Sequence, residues 1–249
     1  GGEYRLAQDE LRRLERLVTD RLPQEQQAEY LAVVSSNQAC CSLCQGRLAS
    51  ALAAIKRAAD YERQAYSQIQ VACVLRMAAV LSAMRQHARS LKLCQGAVDM
   101  ARRAAAVTAD AELAAASTAA APTAAPAAEL DAELASEPTS EPTSALAGQA
   151  QLAVAMHNLA AQFIRTQALP RSLRAILAAE DLAARVLPPS HPWAATIQAT
   201  GCWLRRLHAS LDADHGERVS FKPPPHPSPE QLGVHLDSNL RLQLRSHIR

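Results

Sequence analysis

Aromatic residues are scarce: two Trp, four Tyr and two Phe make up 3% of 249 residues. Strands favour aromatic and β-branched side chains, whereas the 49% hydrophobic content here rests largely on alanine, the best helix former. An all-α fold is therefore expected. No stretch approaches the ~20 consecutive apolar residues that span a bilayer, so no membrane partner is expected. No secretory signal is visible in the opening residues, which begin Gly-Gly rather than Met, as a processed or partial chain would. The six cysteines (Cys40, Cys41, Cys44, Cys73, Cys94 and Cys202) follow no disulfide spacing, which suits a reducing, cytoplasmic compartment. A nucleophile elbow, a phosphate loop, a dinucleotide fingerprint and a His-x-x-x-His pair are all missing, so neither enzyme activity nor a cofactor is expected.

Positive charge is absent from one long stretch. Between Ala104 and Ile164 there is no Lys or Arg, against seven acids, so that stretch carries −7 and the remainder +9 of the chain's net +2. Within it, Ala-Pro and Ser-Glu-Pro-Thr repeats dominate residues 109–147. Such a composition buries too little apolar surface to order itself, so it reads as an acidic, flexible insert. Outside it, the basic residues alternate with acids along helix faces and lack aromatic neighbours for base stacking, so no nucleic-acid partner is expected.

What the chain does have is a repeated unit, clearest over Gln149–Trp193. Leu152, Met156, Leu159 and Phe163 share one helical face, with Ala153, Ala160 and Ala161 as small contact residues. Pro170 opens a second helix, striped by Leu173, Ile176, Leu177 and Leu182 and wetted by Arg174, Glu180, Asp181 and Arg185, and Pro188-Pro189 stops it. Neither helix can bury its face alone, which is the situation that stacked repeats resolve. An offset of 121 carries Asn37, Ala39, Leu52 and Ala58 onto Asn158, Ala160, Leu173 and Ala179. An offset of 39 carries the same four onto Arg76, Ala78, Leu91 and Ala97, and one of 42 carries Asn158 onto Thr200.

These residues resemble the tetratricopeptide repeat, in the longer-period variety of kinesin light chains. The run from Asn37 through Gly46 to Ala51 and Ala58, the His157-Asn158-Leu159-Ala160 core, and the Ser190-His191-Pro192 linker with Ala194-Ala195-Thr196 carry the likeness, over residues 26–107 and 149–211. Arg85 and Gln167 replace the turn glycine in the second and third copies, Thr200 replaces the asparagine in the last, and that last copy lacks a second helix. The resemblance implies antiparallel helical hairpins stacked as a short solenoid. The expected organisation is a capping helix in residues 1–24, with an apolar seam of Leu6, Leu11, Leu14 and Val18, then two hairpins in 25–108. The insert follows in 109–147, with Ala111–Ala116 able to extend the helix before it. A third hairpin and the first helix of a fourth occupy 148–213, and a Pro-rich tail fills 214–249. In the tail, Leu240, Leu244 and Ile248 fit a helical face, while Leu240, Leu242 and Leu244 equally fit a strand.

Candidate chemistry is thin. Cys41 and Cys44 share a helical face, but a tetrahedral metal site usually needs two such pairs and no second pair exists, so all three clustered cysteines read as packing residues. In the resembled family, first helices line a concave groove in which asparagine holds a peptide backbone, since its amide both donates and accepts. Carried over by position, this marks Asn37 and Asn158, with Arg76 and Thr200 at the matching places and Arg165 two turns beyond Asn158. The resemblance thus implies a non-catalytic scaffold that binds peptide or helical segments of other proteins through groove and tails. It would act as a subunit of a hetero-oligomeric assembly, with cytoskeletal, ciliary and organellar sites all open. A soluble adaptor or co-chaperone capturing acidic peptides is the alternative.

Overall fold

A computed structural model describes residues 2–67, 69–119 and 144–213. Within them lie eight α-helices and no strand: α1 Gly2–Arg21, α2 Gln24–Cys44, α3 Leu48–Tyr66, α4 Val71–Ala83, α5 His87–Ala119, α6 Ser144–Arg165, α7 Leu169–Val186 and α8 Pro192–Ala213. Helices α2/α3, α4/α5 and α6/α7 form antiparallel hairpins, and each hairpin packs on the next through α3–α4, α5–α6 and α7–α8. The first helices also touch in series, α2 to α4, α4 to α6 and α6 to α8, so they form one layer. This is the stacked-hairpin architecture expected from the sequence.

The copies superpose in burial as well as in sequence. Ala39, Ala78 and Ala160 are all at most 1% exposed, and Ala58, Ala97 and Ala179 are all 0% exposed. Between them, Ile55, Cys94 and Ile176 fill the same place and are equally enclosed. Small residues at these crossings let helix axes approach closely, and the single larger side chain fills the space left. Ser90 and Ser172 add matching hydrogen bonds, their hydroxyls donating to the Ala78 and Ala160 carbonyls at 2.7 and 2.9 Å; the first hairpin has Ala51 there.

All three intra-hairpin turns close alike. The N–H groups of Gly46 and Arg47 donate to Leu43 and Ser42, those of Arg85 and Gln86 to Ser82 and Leu81, and those of Gln167 and Ala168 to Ile164 and Phe163. Each is a Schellman closure, which needs one residue in the left-handed region. Gly46 adopts it at φ +71, and Arg85 and Gln167 adopt it at φ +60 without the freedom glycine has. Between hairpins, Leu187 is extended ahead of Pro188, as a residue preceding proline prefers. His191 then caps α8: its Nδ1 accepts the Trp193 N–H at 3.2 Å, and Pro192 supplies a first helical residue with no N–H to satisfy.

Several side chains depart from the expected faces. Leu6 is 70% exposed; it stands five residues from Leu11, and Gln8 instead joins Leu11, Leu14 and Val18 on the face against α2. Leu177 is exposed, because the buried line of α7 runs Ile176, Ala179, Ala183 and leaves Leu177 one step round the helix. Glu180, read as part of the wet stripe, lies half-buried between α7 and α8, against Gly201 and paired with Arg205 at 2.5 Å. In α6 the most buried residues are alanines, with Leu152, Met156 and Leu159 at the margins. Helix α5 continues through Ala119, taking in the first eleven residues of the expected insert, and α6 begins at Ser144. The rest of the insert, 120–143, and the tail, 214–249, lie outside the described residues.

Candidate functional site: a groove across the first helices

A groove of about 280 Å³ runs obliquely over the layer of first helices. The second half of α2 contributes Ala39, Cys40 and Leu43, and α4 lies along its floor with Val71, Leu75, Arg76 and Ala79. The first half of α6 adds Gln151, Val154 and Asn158, and the α7–α8 junction closes one side with Leu187, His191 and Trp193. The groove is oblique because it takes the second half of α2 and the first half of α6, on either side of α4.

Arg76 is the one charged residue in this lining. It is half-buried, and its Nη1 donates to Ser36 Oγ of α2 at 2.6 Å, which ties two first helices together. Its charge also reaches the buried Glu62. That carboxyl accepts the Gln70 N–H at 2.7 Å ahead of α4, and burial pushes its pKa up despite the Gln70 bond and Arg76. Burial likewise raises the Cys40 thiol, with Arg76 opposing, and carries Cys73 and Cys94 up to about 12. At neutral pH these three remain thiols, poor as nucleophiles and as soft-metal ligands. Among the described residues, no group of three His, Cys, Asp or Glu side chains converges as a metal site.

The five positions carried over by the repeat alignment separate in space. Arg76 and Asn158 face the groove together, although one Asn158 amide hydrogen is held by the Val154 carbonyl of its own helix at 2.9 Å. Asn37 is half-buried on α2 away from the lining. Thr200 is buried between α6 and α8, donating to the Thr196 carbonyl at 2.9 Å and meeting His157 Nε2 at 3.1 Å. Arg165 is exposed near the end of α6 and outside the groove.

The sequence does not single out Trp193 or Leu187, and it marks His191 only as a linker residue. Their place depends on the return of α7 beside the first half of α6, a tertiary fact that spacing does not encode. The His157 ring stands edge-on to Trp193, centroids 6.0 Å apart, behind this wall. No described helix is long and apolar enough to cross a membrane. No protein-family model, curated protein or solved structure matches this chain.

Proposed function

We propose that this chain is a non-catalytic scaffold of tetratricopeptide-like hairpins. In this reading it acts as a subunit of a larger protein assembly and holds a peptide or helical segment of another protein in its groove. The observation that carries the reading is the groove itself: an apolar trough across three first helices, with Arg76 and Asn158 turned into it from adjacent repeats. Apolar side chains of a partner would supply most of the binding energy, at roughly 25 cal/mol per Å² buried. Arg76 and Asn158 would fix the partner's register through a carboxylate or backbone carbonyl. The adaptor alternative, which needs a cluster of cations for acidic peptides, has less support, because Arg165 stands apart from Arg76.

Cross-linking mass spectrometry on protein purified gently from its own cells tests this. A subunit gives reproducible cross-links from Lys56 and the tails to fixed neighbours, and those neighbours disappear from the preparation when Val154→Glu puts a charge into the groove. Recovery as a free monomer with sub-stoichiometric ligands would favour the adaptor, and neighbours unaffected by Val154→Glu would remove the groove from the account.

A further inference from the structure

Helix α1 carries a second patterned face besides the one that packs on α2. Toward α2, the Gln8 amide donates to Ser42 Oγ at 3.0 Å and Glu15 accepts from the Gln38 amide at 2.8 Å, with Val18 buried beside them. The opposite face carries Glu3, Leu6, Glu10, Arg13, Leu17 and Asp20, all exposed. Leu6 and Leu17 leave apolar surface in water at 70% and 43% exposure. A lone exposed leucine needs no explanation. Here, however, the six positions alternate three and four residues apart, the spacing that keeps one seam of a helix against a second helix in a coiled coil.

We infer that α1 joins two copies of this chain, its outer seam packing antiparallel on the same seam of the second copy. Turned end for end, the pattern is its own complement, as a two-fold interface requires. Leu6 then lies against Leu17 of the other copy, and Leu17 against Leu6. Between these two apolar layers Glu10 meets Arg13 and Arg13 meets Glu10, while Asp9 meets Arg16 along one flank. A parallel pairing would set Glu10 on Glu10 and Arg13 on Arg13, so charge selects the antiparallel one. Glu3 and Asp20 oppose each other only at the two ends of the seam, in water, where like charges are best screened. Within one copy Glu10 and Arg13 already pair at 3.1 Å, but both are about two-thirds exposed, and such a pair contributes little by itself. None of the groove lining comes from α1, so the dimer stands independently of the groove's role. It would present two grooves at once, which strengthens the hold on any partner that offers two segments.

Sedimentation velocity on the full-length chain tests this, over a wide range of protein concentration and with reductant present so that no disulfide contributes. The wild-type mass is expected to rise with concentration from 26.7 kDa toward twice that value. Glu10→Arg and Arg13→Glu should each weaken association at least about tenfold, because each sets like charges across the seam. An equimolar mixture of these two variants should recover wild-type association, since every central contact between the unlike chains then pairs opposite charges. Leu6→Asp/Leu17→Asp should stay monomeric while keeping the helical circular dichroism of wild type, as both side chains stand clear of the core. A wild type that remains at 26.7 kDa throughout overturns the inference. So does association that the single charge reversals or the leucine variant leave unchanged, and so does a mixture that fails to recover.

Discussion

The first hairpin turns at Gly46, and the second and third turn at Arg85 and Gln167, yet the backbone is the same at all three. The difference lies in what holds it. Glycine adopts the left-handed conformation freely, whereas an ordinary residue gives up roughly 1–2 kcal/mol there. That deficit is tolerated because Ala78/Ala97 and Ala160/Ala179 keep the crossings that Ala39/Ala58 make in the first hairpin, with Cys94 and Ile176 beside them. The hairpins are therefore specified by buried small residues in register, and the turns follow.

If packing rather than the turn sets the hairpin, the largest losses belong to the crossings. Ile176→Ala should cost about 2–5 kcal/mol by chemical denaturation, since it empties a fully enclosed site at the centre of the third hairpin's core. Ala179→Leu should cost about 1–3 kcal/mol in the same measurement, by forcing two axes apart. A loss well under 1 kcal/mol for both would break the comparison. Arg85→Gly and Gln167→Gly sharpen it from the other side. Each should gain about 1 kcal/mol or less, because relief of the left-handed conformation is partly offset by the entropy of glycine in the unfolded chain. Gly46→Ala should lose a similar amount.

The smallest effect concerns Glu62, which the first hairpin buries beside α4. Its pKa is raised, so the folded state binds this proton more tightly than the unfolded state does. Its contribution to stability is then fully present below the ordinary carboxyl pKa of 4.5 and is lost as pH rises through the raised value. Glu62→Gln keeps a carbonyl for the Gln70 N–H and removes the buried charge. It should be neutral to slightly stabilising, by about 1 kcal/mol or less, at pH 7, and this advantage should shrink as the pH is lowered past the pKa. Paired urea titrations at pH 7 and pH 4 check the sign.

Much of this architecture is legible in the sequence because repeats write the same packing several times. The coincidence of Ala39, Ala78 and Ala160 identifies a crossing that a single copy would leave ambiguous. The faces of individual helices are less legible. Leu6 and Leu177 look apolar enough to be core, but in a chain whose core is alanine, size does not mark burial. Glu180 looks like a wet residue, and only the approach of Gly201 on α8 reveals its lodging. At the groove, the alignment finds Arg76 and Asn158 and misses Trp193, because the wall at the α7–α8 junction arises between repeats rather than within one. Thr200 shares the register of Asn158, yet it turns its hydroxyl to His157, since α8 ends the described series of first helices.

Partner binding in the groove is the function proposed above. Site-specific photo-crosslinking in the native cell addresses it most directly, with a benzophenone side chain placed at Gln151 in the groove or at the exposed Leu177 on α7. Groove binding predicts a discrete adduct of fixed mass from position 151, lost when Arg76→Ala and Val154→Glu are combined with it, and none from position 177. The same adduct from both positions, or one from position 177 alone, would contradict it.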